Sequence, residues 1–521
     1  MKRFLHAWCL VAALVLSAAG GAVAGRVEMR DGWFYVDGEK FFIKGVCFFE
    51  NHDVEGEFTR SSLDVMDHEF RKIREAGFNT IRSQLRPEEL QLAKKHGLMV
   101  MQGANHLFFS SEYEDPEEVA KQVAKTKEIS AYSAGHDNIL YYIIDNEPQI
   151  RDGLYRQGRR SVESFYEKLM QTVKAEDSKA IVSMASYPPA AILDHSMFDC
   201  VSLNLYPHSP AKDSLGYEGY AKWFKTRYAS DKPFVISEYG WQFLQGEEGF
   251  REGVVEMLDD QIAAGACGSF FFTWRTFGRE DDGPNMWYGI VPNQAKKNDH
   301  LNEPRDVYGD LKQYFQAVVV EPKKGRGYAG RIPIEVCGTE RTASVEARLG
   351  ERSLHLKREG RSWWVGGIDV ATNSETIADV EIIARDEDGK ELTRKSVPVV
   401  LVPASRKLKV SVEGSTGPLT EGTSCDVSVC VVNGEGDVMG ALPLILGINQ
   451  TGRSDWDSET MRGITDTDGV YSFKVDDLVQ GFLTVMATVE NPAPGVEVIP
   501  GAMMRRIDPA MAIVEGLPEI E

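Results

Sequence analysis

After the apolar run Leu10–Leu16, itself too short to cross a bilayer, no stretch of this 521-residue chain approaches 18 apolar residues, so no membrane-spanning helix is expected. Basic residues are in the minority, 58 against 79 acidic ones, and the formal charge of -21 opposes any strong attraction to nucleic-acid phosphates or anionic lipid. Cysteine is scarce, with seven in the whole chain. The patterns that hold metals are missing, since there is no His-Glu-x-x-His and no paired Cys-x-x-Cys. Gly325-Arg-Gly327-Tyr-Ala-Gly330 has dinucleotide-loop spacing, but a strand-like segment, Ile332–Val336, follows where a helix would be needed, so it reads as a linker. Asp466-Thr-Asp468-Gly469 has Ile464 at the first ligand position of a calcium loop. The expected chemistry is that of side chains alone, with no metal and no cofactor.

What is present is ordinary globular composition, 42% hydrophobic and 26% charged. Lys2 and Arg3 precede the apolar run Leu10–Leu16, and Ala22-Val23-Ala24 offers a small-residue cleavage site. Residues 1–24 therefore read as a signal peptide, which predicts export to the periplasm or the extracellular medium. Of the six remaining cysteines, Cys47, Cys200 and Cys267 fall in strand-like segments. Cys425 and Cys430, five apart on one strand, point to opposite faces, so buried free thiols are expected rather than a disulfide framework.

From Gly38 to about residue 318 short apolar strands alternate with amphipathic helices, the pattern of βα units. Eight strands can be counted: Phe42–Phe48, Phe78–Ser83, Leu98–Gln102, Ile139–Asn146, Ala180–Ala185, Cys200–Leu205, Phe234–Glu238 and Gly268–Trp274. Helices are expected at Leu63–Ala76, Pro116–Ala131, Tyr155–Ala175 and Gly253–Ala264, with Val307–Val318 closing the ring. Trp33–Glu39 reads as a hairpin strand turning at Asp37-Gly38. After residue 320 alternating strands and turn dipeptides such as Asp388-Gly389, Asn433-Gly434 and Asp468-Gly469 take over. The predicted fold class is α/β, a (β/α)8 TIM barrel over 25–320, followed by two all-β immunoglobulin-like sandwich domains over 321–403 and 404–521. The barrel is expected to need neither sandwich for its chemistry.

Barrel chemistry sits at the carboxyl ends of the strands, and two glutamates occupy such ends. The fourth strand runs into Asp145-Asn146-Glu147-Pro148, where proline stops the ladder, and the seventh into Glu238-Tyr239-Gly240. Strands four and seven lie on opposing sides of an eight-stranded ring, so the two carboxylates can flank a glycosidic bond. Retaining hydrolysis calls for a separation of about 5 to 5.5 Å. A second Asn-Glu-Pro, Asn302-Glu303-Pro304, reads instead as a helix start with proline near the first turn.

Five segments in order then carry a resemblance. Gly-Glu-Lys-Phe-Phe-Ile-Lys-Gly-Val (38 to 46), Phe-Asn-Thr-Ile-Arg (78 to 82), His-Asp-Asn-Ile-Leu-Tyr-Tyr-Ile-Ile-Asp-Asn-Glu-Pro (136 to 148), Asn-Leu-Tyr (204 to 206) and Lys-Pro-Phe-Val-Ile-Ser-Glu-Tyr-Gly (232 to 240) are similar to the catalytic domain of glycoside hydrolase family 2, within the clan A retaining enzymes. The resemblance covers about residues 26 to 318. It implies Glu147 as acid/base, Glu238 as nucleophile, Asn146 as ligand of a sugar 2-hydroxyl, Arg82 and Tyr206 as holders of Glu238, and Trp274 as the floor of the sugar site. The barrel is expected directly after the signal, without the jelly-roll and sandwich usual before it in family 2. Asn204 stands where family 5 relatives have His.

Phe48, Phe49, Trp241, Trp274, Trp287 and Tyr288 are candidates for stacking on sugar or for core packing. His52, His106 and His208 follow strand ends as hydroxyl ligands or structural residues, and Trp363 and Trp364 read as one core and one surface residue. The last sandwich resembles bacterial immunoglobulin-like repeats through Thr465-Asp466-Thr467-Asp468-Gly469 and Gly481-Phe-Leu-Thr-Val485. The expected partner is a β-linked oligo- or polysaccharide. The expected activity is that of an exported retaining β-glycosidase, with an endo-acting β-glycanase, a transglycosidase, or a non-catalytic glycan-binding protein as alternatives.

Overall fold

The structure, a computed structural model, describes residues 27–54, 57–105, 113–148, 157–207, 212–241, 246–276, 289–292, 303–370, 372, 376–403, 407–434, 436–450, 459–492, 496–508 and 510. The expected signal peptide lies outside these residues, as do His106, His208, Trp287, Tyr288 and the side chain of His52.

Eight parallel strands close into a barrel in chain order: β1 (Ile43–Cys47), β2 (Thr80–Ser83), β3 (Met99–Gly103), β4 (Ile139–Asn146), β5 (Val182–Ser186), β6 (Val201–Asn204), β7 (Phe234–Tyr239) and β8 (Gly268–Phe271). They are short, and β-branched and aromatic residues fill them, as fully buried parallel strands require. Around them run α1 (Leu63–Glu75), α2 (Pro87–Lys95), α3 (Pro116–Ser133), α4 (Arg159–Glu176), α5 (Lys212–Tyr228), α6 (Gly246–Ala263) and α7 (Val307–Tyr314). Sequence signals explain their starts. Ser62 caps α1 by accepting from Val65 N, and Asp115 caps α3 by accepting from Glu117 and Glu118 N with Pro116 in the first turn. The buried stripe of α1, Met66, Glu69, Phe70 and Ile73, repeats at helical spacing. The nine-residue α2 was too short to stand out by periodicity, although the Glu89 carboxylate reaches back to accept from Arg86 N at 2.8 Å and so caps its first turn.

Two expected boundaries change. The closing helix ends at Tyr314, and Val318 opens a strand, Val318–Glu321, that pairs with Arg331–Cys337, because a run of three valines gains more from a ladder than from a helix. Glu303 and Pro304 precede the cap residue Asp306, so the second Asn-Glu-Pro lies ahead of the helix rather than in its first turn, and Glu303 is exposed.

The barrel interior is packed, with Ile43, Met101, Tyr141, Ile143, Cys200, Val235 and Phe270 in one cluster. At Gly45 a Cβ would come within 2.4 Å of the Phe270 ring, so glycine there lets a phenylalanine fill the bore. The bottom is closed by three antiparallel strands, Val27–Arg30, Trp33–Val36 and Glu39–Phe41, joined by Asp31-Gly32 and Asp37-Gly38 turns with positive φ at all four residues. Phe34 from this sheet stacks on Tyr141 at 5.5 Å.

Two β-sandwiches follow, each of a four-stranded and a five-stranded sheet with its own apolar core. The first is locked to the barrel. Lys44 of β1 is buried and its Nζ donates to the carbonyls of Phe315 (3.0 Å) and Gly338. Trp363 packs into the barrel's outer core, edge-on to Trp33 at 5.6 Å, and its indole N–H donates to Lys40 O at 2.6 Å. Trp364 is buried in the sandwich core, so neither tryptophan of the pair is a surface residue. All six described cysteines are free, and five are buried.

Candidate active site

Residues from four strand ends meet at the carboxyl face of the barrel. Arg82, at the end of β2, is 6% exposed and sits at the centre. Its Nη1 lies 2.8 Å from Glu238 Oε1 and 2.8 Å from Ser237 O, and its Nη2 donates to Asn146 Oδ1 at 2.5 Å. The Tyr206 hydroxyl donates to Glu238 Oε2 at 2.7 Å, so both carboxylate oxygens are held. Asn204 Nδ2 donates to Asn146 Oδ1 (3.0 Å) and to Glu147 Oε1 (2.9 Å), while its Oδ1 accepts from Ser237 Oγ at 2.7 Å. Asn204 is thus buried among protein groups and joins the two glutamate-bearing strands.

The two glutamates reach this cluster because both strands are irregular where they end. Along β4, Tyr141 and Ile143 face the bore while Tyr142 and Ile144 face the helices. Strict alternation would then send Asp145 inward and Asn146 outward. The pairing with β5 advances three residues on β4, Ile143 to Asn146, against two on β5, Ser183 to Ala185. That extra residue is a bulge, and it reverses the alternation so that Asn146 turns to Arg82 while Asp145 turns out to Tyr166. On β7 the pairing with β6 advances two residues, Ile236 to Glu238, for one on β6, and Glu238 turns to Arg82.

Electrostatically the carboxylates differ. Burial, and next the negative charge of Glu238, push the Glu147 carboxyl up to about 7, against the smaller opposing pulls of the Asn204 amide and Arg82. Glu238 instead has a guanidinium and a phenol on its two oxygens.

The family profile "Glycosyl hydrolases family 2, TIM barrel domain" matches residues 27–289, about half of the 521 residues. The chain belongs to glycosyl hydrolase family 2. A curated β-glucuronidase of Paenibacillus borealis is 21% identical over 237 residues, which are 42% of this chain and 38% of that protein, so the chain spans well under half of the relative it matches. Among solved structures, the β-glucuronidase of Parabacteroides merdae superposes with a TM-score of 0.47 at 14% identity, covering 92% of this chain and 64% of that one. The endo-β-1,4-mannanase of Thermotoga petrophila gives 0.38 at 11% identity, covering 70% and 99%.

Within this family 2 barrel the structure brings Arg82, Asn146, Glu147, Asn204, Tyr206 and Glu238 together, and it keeps Trp274 apart from them. Trp274 is 0% exposed, with its indole N–H 3.2 Å from Glu69 Oε1 and its ring against Tyr308 at 6.3 Å, so it offers no face to a ligand. The eighth strand ends at Phe271 rather than at Trp274, and the half-buried Phe272 takes the rim position, 6.3 Å from the Tyr206 ring and 5.7 Å from the Phe49 ring. Trp241 is half-buried and lies over Gly253 of α6, where a Cβ would come within 2.4 Å of the indole. Phe48 is buried. Tyr187, after β5, was not singled out in the sequence. Its hydroxyl donates to the carbonyl of Pro148, the residue after Glu147, at 3.3 Å, and burial followed by the charge of Glu147 pushes its phenol up to about 12.

Proposed function

We propose that the protein is an exported retaining β-glycosidase that cleaves O-glycosidic bonds by double displacement, with Glu238 as nucleophile and Glu147 as acid/base. The observation that carries this reading is the unequal setting of the two carboxylates. Glu238 has both oxygens held by cationic or hydroxyl donors, whereas Glu147 is pushed up to about 7 and so can hold a proton near neutral pH.

In the first step Glu238 attacks the anomeric carbon as the bond to the leaving oxygen breaks, and the proton of Glu147 passes to that oxygen. Glu238 is then esterified and its charge is gone. Glu147, now ionised, takes a proton from water as the water attacks the anomeric carbon, and the ester bond breaks to restore Glu238. Asn146 has its carbonyl oxygen engaged by Arg82 and Asn204, so what it can present to a sugar hydroxyl is its amide N–H pair. Phe272 would supply the apolar face under the ring.

The test is a screen of 4-nitrophenyl β-D-glycosides and β-linked polysaccharides, with the glucuronide included because the curated relative is a β-glucuronidase. Turnover is expected, and NMR of the fresh reaction should show a product of β configuration. An initial α product would sink the nucleophile role of Glu238, and no turnover on any β-glycoside would favour a glycan-binding protein.

A further inference from the structure

We infer that Asp145, held by Tyr166, is a positioning residue that aims Glu147 for proton transfer, an inference that rests on the function proposed above. Asp145 is 1% exposed and lies on the helix side of β4 because of the bulge. Its Oδ2 accepts from the buried Tyr166 hydroxyl of α4 at 2.8 Å, and its Oδ1 accepts from the backbone N–H of Asn146 at 2.8 Å. The next peptide is fixed as well, since Glu147 N donates to Ala185 O of β5 at 2.9 Å. Between those two anchors Glu147 takes a left-handed backbone conformation, φ +47°, which side chains other than glycine rarely adopt. Such a conformation persists only where its surroundings over-determine it. Asp145 and Tyr166 are what hold the N-terminal side of the turn.

The chemistry of Asp145 is costly enough to need a reason. Burial pushes its carboxyl up to about 6, the Tyr166 hydroxyl and the Asn146 N–H pull against that, and no cation among the described residues contributes. A buried acid without a cation is a poor stabiliser of a fold. As a two-pronged acceptor, however, it ties helix α4 to the residue immediately before the proposed acid/base. Tyr166 is itself seated edge-on against Tyr113 at 6.0 Å and tilted against Phe165 at 5.7 Å, so its hydroxyl has little freedom.

Leaving groups separate positioning from general structural damage. A phenyl glycoside needs its leaving oxygen protonated, and a 2,4-dinitrophenyl glycoside does not. Tyr166→Phe keeps the ring and removes one donor. Asp145→Asn keeps the shape and loses one acceptor. Both are assayed as full-length protein on the phenyl and 2,4-dinitrophenyl β-glycosides of whichever sugar the wild type turns over. Each variant is expected to lose about tenfold or more in kcat/KM on the phenyl glycoside and to stay within about threefold on the dinitrophenyl one. Equal losses on both substrates, or no loss on either, in Tyr166→Phe protein with an unchanged melting temperature would overturn the inference and leave the functional reading standing. No turnover by the wild type on any glycoside would overturn the functional reading and this inference with it.

Discussion

Burial and the charge of Glu238 raise the Glu147 carboxyl to about 7, and the sign of its effects follows from that direction. Below that pH the group carries the proton the first chemical step consumes, so kcat/KM on a phenyl glycoside should fall as pH rises through about 7 and show a basic limb there. The same shift acts on stability. A carboxyl raised on folding contributes most below its ordinary value, and the contribution is lost as pH rises through about 7. Glu147→Gln should therefore raise the melting temperature relative to wild type more at pH about 8 than at pH about 4.5, which calorimetry at the two pH values would check. In activity, Glu147→Gln and Glu238→Gln should each cost about a thousandfold or more, whereas Glu303→Gln should stay within about twofold because that side chain is exposed ahead of α7. An equal loss from Glu303→Gln in folded protein would contradict this assignment. The strand-end positions of both glutamates were legible in the sequence, because Pro148 stops one ladder just after Glu147 and the other apolar run ends at Glu238. How far the Glu147 carboxyl is raised was not, since that depends first on how deeply it is buried and then on how near Glu238 comes.

At the scale of a single strand, one residue of register decides which side chain enters the site. The bulges in β4 and β7 reverse the alternation just before Asn146 and Glu238, and no sequence signal marks them, since Ile-Ile-Asp-Asn and Val-Ile-Ser-Glu read as regular strands. The end of β8 is a similar case. Phe-Phe-Phe-Thr-Trp does not say where the ladder stops, and the larger indole drew the expectation to Trp274, whereas the stop at Phe271 gives the rim to Phe272. This makes a paired prediction. Phe272→Ala should raise KM by about tenfold or more with a modest change in melting temperature, for a lost stacking face. Trp274→Phe should lower stability by about 1 to 3 kcal/mol and leave KM within about twofold, for lost core contacts and a lost hydrogen bond to buried Glu69. The opposite pattern in steady-state kinetics and thermal melts would return the floor to Trp274.

At the scale of the whole molecule, the barrel does not end where its proposed catalytic residues do. The strand Val318–Glu321 straddles residue 320 and hydrogen-bonds within the first sandwich, which also supplies Trp363 to the barrel's outer core and Gly338 O to the buried Lys44 ammonium. A chain cut after residue 320 would lose these contacts and leave part of Lys44's hydrogen bonding unmet inside apolar surroundings, at a cost of about 1 to 3 kcal/mol for that group alone. A chain of residues 25–320, which the sequence suggested would work by itself, should be insoluble or molten by near-UV circular dichroism. A chain of residues 25–403 should fold and turn over small aryl glycosides within about threefold of the full protein. A well-folded, active 25–320 fragment would show that the sandwich only decorates the barrel.

What the sequence determined by itself was whatever local chemistry dictates: eight apolar strands between amphipathic helices, the Asp37-Gly38 turn of the N-terminal sheet, the shift to all-β pattern after residue 320, and the two glutamates at strand ends. These follow from periodicity and from backbone preferences that act over a few residues. Tertiary structure decided the rest. The inward turn of Asn146 and Glu238, the burial of Trp274, the burial of Asp145 on Tyr166 and the docking of Trp363 on the barrel all depend on register and packing between segments far apart in the chain. None of these can be read from one strand; on a regular ladder Asn146 and Glu238 would face the other way.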